Sequence, residues 1–112
     1  MEPQKTSLIA VCTLSAVIYQ EDGQYVAHAL EKDICSQGSS AERALYELTR
    51  AVAGTVAVDL SIGNEPLRST PPAPQEIWDR YERASLTLAP KRYPMVVDNV
   101  TAPMLSEVRL CS

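Results

Sequence analysis

The chain of 112 residues contains no phenylalanine, one tryptophan, one histidine and four glycines. With aromatic residues at only 5%, a core has to be assembled from Val, Leu, Ile and Ala, which is feasible at this length but leaves it small. Basic charge is also short, at 10 Lys and Arg against 14 Asp and Glu, a net of -4. Surfaces that track phosphates carry clustered Lys and Arg to displace counterions, so no nucleic acid is expected to bind this chain alone. A negative balance suits a basic partner instead, because opposite potentials steer encounter. Cys12, Cys35 and Cys111 form no C-x-x-C pair and have no histidine at ligand spacing, which argues against a zinc site or a disulfide framework. Reduced, mostly buried thiols place the protein in the cytoplasm. Long apolar runs are missing as well. Leu8 to Tyr19 is interrupted by Thr13 and Ser15 and falls short of the roughly 18–20 residues that cross a bilayer, so it reads as a strand rather than a leader or a span.

What is present is the mixture typical of one globular domain. Residues 1–6 form a loose start, and Ser7 to Gln20 is rich in residues that suit a pleated, half-buried surface. Asp22-Gly23 between two apolar runs is a strong hairpin signal, with Gln24 to Leu30 as the returning strand. A third strand is expected over Asp33 to Gln37, ending at Gly38. Ser39-x-x-Glu42 fits a capping box. Ala41, Ala44, Leu45, Leu48, Val52, Thr55 and Val56 then recur at three- and four-residue steps, predicting a helix with one apolar stripe. Glu47 is spaced to pair with Arg43 or Arg50 on the outer side. Gly54 marks either close packing or a frayed C-terminal half, and Gly63 is the stop. Pro66, Pro71 and Pro72 make 63–73 a connecting arm. Pro74 sits at the first position of a short helix whose apolar face is Ile77, Trp78 and Tyr81. Beyond Leu86, prolines at 90, 94 and 103 leave Met95-Val96-Val97 and Glu107 to Cys111 as edge strands.

Residues 25–38, Tyr-Val-Ala-His-Ala-Leu-Glu-Lys-Asp-Ile-Cys-Ser-Gln-Gly, stand between Asp22-Gly23 and the helix start Ser39 to Leu45. In that order they resemble the HicB-like antitoxin family, over about residues 14–60. Arg43 departs from the family's helix start by separating Glu42 from Ala44. The resemblance implies an α+β, partial RNase H-like fold: an antiparallel sheet with one main helix, followed here by a short C-terminal helix and an extended tail. The expected division is a HicB-like unit at 1–62, the arm at 63–73, and a helix and tail at 74–112 that pack on the same domain or on a partner subunit. Members of the family form homodimers or higher assemblies and mask a small basic mRNA-cleaving toxin of the HicA type. Many carry a C-terminal DNA-reading unit, which this tail does not contain. Gly63 to Leu67 and Ala73 to Trp78 resemble the segments of stand-alone members.

Chemistry of its own is not expected. Glu21, Asp22, Glu31 and Asp33 lie in a turn and a loop rather than converging on central strand positions, as a two-metal nuclease would need. His28, the single histidine, has no Ser, Cys or acid placed by the sequence to form a relay with it, and Cys35 has no adjacent base. No catalytic residue, metal or cofactor is assigned. Lys91-Arg92-Tyr93 alone is a poor nucleic-acid signature. The residues assigned to partner binding are the charged loop Glu31, Lys32 and Asp33 with the aromatic pair Trp78 and Tyr81. The function expected is that of a cytoplasmic HicB-like antitoxin or orphan regulator acting by protein–protein contact. The alternative is a non-enzymatic oligomeric scaffold or inhibitor module for an unrelated protein.

Overall fold

The computed structural model describes residues 13–88, 96–97, 100–101 and 104–111. Residues 1–6, the first half of the Ser7–Gln20 strand, Cys12 and Lys91-Arg92-Tyr93 lie outside them. Among the described residues the fold is α+β, a five-stranded mixed sheet with two helices.

Strands β1 (Thr13–Glu21) and β2 (Gln24–Ala29) form the expected hairpin, in register from Ala16 opposite Ala29 to Glu21 opposite Gln24. Its two-residue loop needs positive φ at both positions, and Asp22 at 53° and Gly23 at 77° supply it. Strand β3 (Cys35–Gly38) pairs antiparallel with β2 and begins two residues later than the sequence suggests. Helix α1 (Ala41–Ser61) follows. Its cap is Ser40, not Ser39: Ser40 is the extended residue next to the first helical turn, and its hydroxyl accepts the Arg43 N–H at 3.1 Å. Glu47 bridges both of its expected partners, Arg43 at 3.0 Å and Arg50 at 3.2 Å. At the far end Gly63 takes φ 81°, with its own N–H on Leu60 O and the Asn64 N–H on Asp59 O, a complete Schellman closure.

Helix α2 (Gln75–Arg83) starts one residue after Pro74, whose carbonyl accepts the Ile77 N–H. Strand β4 (Leu86–Leu88) is an outer strand of the main sheet. Strands β5 (Val96–Val97) and β6 (Val100–Thr101) pair only with each other beside α1, so Val96-Val97 is not an edge of the main sheet. Strand β7 (Met104–Leu110) overturns the expectation of an edge at Glu107–Cys111. It runs between β1 and β4, giving the order β3-β2-β1-β7-β4. The three tail prolines all precede it, so no ladder donor is missing from its interior. It lies parallel to β1, and the sheet is therefore mixed rather than wholly antiparallel. The long excursion through β2, β3 and both helices supplies the crossover that a parallel pair requires.

The two helices cover opposite faces. Leu14, Ala16 and Ile18 of β1 join Ala27 and Ala29 beneath Ala44, Leu45, Leu48, Val52 and Val56 of α1. On the other face Val17, Tyr19, Val26 and Leu30 pack with Ala73, Ile77 and Tyr81. In β7 the register slips by one between Leu14–Leu105 and Ser15–Glu107. That bulge lets Leu105 and Val108, three residues apart, enter the same core. Residues 63–73 contain no helix or strand and are firmly anchored. Leu67 is 2% exposed in the α1 core with φ 63°, and its N–H donates to Asp59 Oδ2 at 2.7 Å. Six residues on, Ala73 lies in the core beneath α2.

Two glycines give opposite tests of this packing. A Cβ on Gly54 meets nothing within 4 Å, so neither close packing nor fraying explains it, and α1 continues through it to Ser61. Gly54→Ala is expected to raise stability by about 1 kcal/mol in urea unfolding. At Gly38 a Cβ would stand 2.7 Å from the Ala44 backbone nitrogen. Gly38→Ala is expected to cost about 1–3 kcal/mol in the same assay, because a helix backbone cannot move aside as a side chain does.

Candidate functional site

The five residues between the core of β2 and the start of β3 are held from three sides. Leu30 is fully buried, and its N–H extends the β1 ladder to Ser15 O. Glu31 turns back, so that its Oε1 accepts the Ser15 N–H at 2.7 Å. Lys32 Nζ donates to Thr70 O at 3.3 Å. The Asp33 N–H donates to Pro71 O at 2.6 Å, and the Ala73 N–H to Leu30 O at 2.8 Å. The arm is thus the other wall of the loop. Ordering a charged loop in this way removes conformational freedom before any partner arrives.

Beneath the loop a partly buried polar chain runs along one face, from Asp33 over β2 to β1. His28, 8% exposed, has Nε2 at 2.7 Å from Asp33 Oδ1 and Nδ1 at 3.1 Å from the Tyr19 hydroxyl. One tautomer satisfies both contacts, with Nε2–H donating to the carboxylate and Nδ1 accepting from the phenol. The Arg80 guanidinium caps the chain 4.2 Å from the centre of the Tyr19 ring. Burial pushes the Tyr19 hydroxyl above its ordinary value, Cys35 and Glu21 adding to the effect and Arg80 opposing it. Cys35 stands opposite His28 in the ladder. Although Cys35 is exposed overall, partial desolvation against the sheet pushes its thiol up as well, reinforced by the negative charge of Asp33 and Glu21. Phenolate and thiolate are both disfavoured here, the reverse of what an activated nucleophile needs.

An acid is therefore brought to His28 after all, by Asp33 five residues downstream. Both ring nitrogens are occupied, Nε2 by the loop at Asp33 and Nδ1 by Tyr19 of β1. The carboxylates remain dispersed: Glu31 serves a strand N–H and Asp33 serves the histidine. Among the described residues no group of three or more His, Cys, Asp or Glu is placed to hold a metal ion. Cys35 and Cys111 are unpaired; Cys35 is exposed, against the expectation of burial, and Cys111 is half-buried with its thiol on Arg80 O.

Trp78 and Tyr81 sit on the sheet-facing side of α2. Trp78 is half-buried against the Val17–Tyr19–Leu30 core. Tyr81 is buried, with the Arg109 guanidinium 4.1 Å from its ring centre and its carbonyl accepting from Arg109 Nη1 at 3.1 Å. Its hydroxyl bonds to Glu107 and Ser15, and Glu107 in turn accepts from Arg109 Nε at 2.9 Å. Those hydrogen bonds from Arg109 and Tyr81 hold the Glu107 carboxyl below its usual range. The structure thus brings Glu31, Lys32 and Asp33 together at the surface and ties Tyr81 into the interior. Residues 70–73 of the arm and the approach of Asp33 to His28 are the part of the site that the sequence does not announce.

No protein-family model, curated protein or solved structure matches the chain.

Removing the carboxylate of Asp33 leaves a buried ring N–H without its acceptor. Asp33→Ala is expected to lower stability by about 1–3 kcal/mol and to accelerate amide hydrogen exchange across residues 30–34, whereas Lys32→Ala should cost no more than about 0.5 kcal/mol. Because the Cys35 thiol is pushed up, less thiolate is present at any given pH than in the unfolded chain. Site-resolved iodoacetamide labelling should therefore reach its half-maximal rate at a higher pH in the folded protein than in urea.

Proposed function

We propose that this chain is a HicB-like antitoxin or orphan regulator that works by protein–protein occlusion, without chemistry of its own. On this reading it masks a small basic mRNA interferase of the HicA type in the cytoplasm. The observation that carries the proposal is the immobilised loop at Glu31–Asp33. Its three charged side chains are tied to Ser15, Thr70 and His28, so the ordering cost of a recognition surface is met by folding rather than by binding. The acidic balance of the whole chain, -4, gives such a surface the sign that a basic partner selects. His28 and Cys35, the residues most able to do chemistry, are respectively fully hydrogen-bonded and held as a thiol, which supports a binding role over a catalytic one. No helix among the described residues is long and apolar enough to cross a membrane.

The chain is further proposed to act as a homodimer or higher homo-oligomer. Val58 in the last turn of α1 and Ile62, its C-cap residue, are 59% and 64% exposed and four residues apart, which supports that view.

Co-expression with a short basic protein of double-stranded-RNA-binding type, encoded beside this chain, tests the proposal. A stable complex on gel filtration and loss of the neighbour's RNA cleavage are expected; if the two elute separately, the antitoxin reading is wrong.

A further inference from the structure

Strand β3 is the outer strand on its side of the sheet, and its pairing pattern fixes which backbone groups face outward. The Ala29 N–H donates to Ile34 O, so the hydrogen-bonded pairs alternate from there through Ala27–Ser36 to Tyr25–Gly38. His28–Cys35 and Val26–Gln37 are then the pairs without mutual bonds. The N–H and C=O of Cys35 and Gln37 accordingly point away from β2, and no described residue pairs with them. Natural edges are guarded by Lys, Pro or a bulge; Cys35-Ser36-Gln37-Gly38 has none of these.

The side chains beside this edge give the occupant its chemistry. Cys35 and Gln37 are exposed on the α2 side of the sheet, opposite His28 and Val26. Glu21 lies on the same face by alternation with Tyr19, and Asp33 precedes the strand. Both carboxylates are close enough to raise the Cys35 thiol, and Glu76 of α2 acts with Glu21 on Tyr19. The cations around this rim are already engaged: Arg43, which packs against Gly38, pairs with Glu47, Lys32 donates to Thr70 O, and Arg80 is stacked on the Tyr19 ring. Among the described residues the edge is thus open, and the sheet face it borders carries three carboxylates.

We propose that the β3 edge takes up an extended basic segment of a protein partner as a sixth strand, with backbone bonds to Cys35 and Gln37. Lys or Arg at alternate positions of that segment would face Glu21, Asp33 and Glu76. In this mode of recognition main-chain bonds supply affinity and every second side chain supplies specificity. The inference rests on the protein-binding reading above and adds where and how the partner is held.

The probe is a fluorescein-labelled peptide, Thr-Lys-Val-Arg-Val-Lys-Thr, titrated with the full chain by fluorescence anisotropy. Saturable binding is expected, and Gln37→Pro should weaken it about tenfold, because the lost N–H points outward and serves no internal ladder bond. The thermal midpoint of that variant should stay near that of the parent. If the variant does not fold, the same peptide N-methylated at its central residues, added to the parent chain, should lose binding to a similar extent. The double variant Glu21→Gln with Glu76→Gln should weaken binding and flatten its salt dependence. With the peptide, each of these overturns the proposal: no saturation, equal binding to Gln37→Pro in folded form, or equal binding of a peptide with the same residues but its basic ones contiguous. A basic protein that co-purifies equally with parent and Gln37→Pro would leave the antitoxin reading intact and refute the edge. Peptide capture at the edge with no co-purifying neighbour would support the edge and count against the antitoxin reading.

Discussion

Between Leu14 and Tyr19, strand β1 has no side that faces water. Leu14, Ala16 and Ile18 are buried on one face, Val17 and Tyr19 on the other, and β2 and β7 flank it within the sheet. A strand of that kind has to be covered twice, and one helix cannot do it. Helix α1 covers the first face, α2 with Ala73 covers the second, and the arm carries the chain between them. The absence of phenylalanine fits the first interface. Ala16, Ala27, Ala29 and Ala44 are all fully buried there, so helix and sheet meet through small side chains and leucines fill what is left.

The loop at Glu31–Asp33 inherits its rigidity from the same constraint. The arm has to pass close to the end of β2 to reach the second face, and its carbonyls at Thr70 and Pro71 then become acceptors for Lys32 and Asp33. The partly buried chain of Tyr19, His28 and Asp33 is the polar cost of running the loop over the sheet. It is offset because the Tyr19 hydroxyl and both ring nitrogens of His28 find partners. A charged surface loop and a hydrophobic crossover are thus one construction.

Much of this architecture is legible in the residues, and the failures have physical causes. Asp22-Gly23 announces the hairpin because few sequences tolerate two consecutive positive φ values. The α1 stripe, with its Schellman stop at Gly63, follows from helical periodicity. The place of β7 is not legible, since a parallel partner is chosen by long-range packing and leaves no local turn signal. The bulge that lets both Leu105 and Val108 inward breaks the alternation on which a strand is recognised. The Tyr19–His28 contact was within reach: a two-residue turn fixes the register, which sets Tyr19 opposite Val26 and diagonal to His28 on one face. Asp33 was not, because the loop's course depends on the arm. Leu67 gives no warning either, as a left-handed leucine is tolerated only where its burial and the Asp59 acceptor both demand it.

The interior place of β7 also bears on the order in which the molecule comes together. The β1–β2 hairpin, β3 and α1 are joined by short connections and can assemble as soon as they are made, while the parallel partner of β1 is the last element in chain order. Closing that pairing requires a large loop, and non-local pairing is the slow part of folding. During synthesis on the ribosome β1 therefore waits with an apolar, unpaired flank until β7 emerges, and crowding by other nascent chains is most hazardous to this protein in that interval.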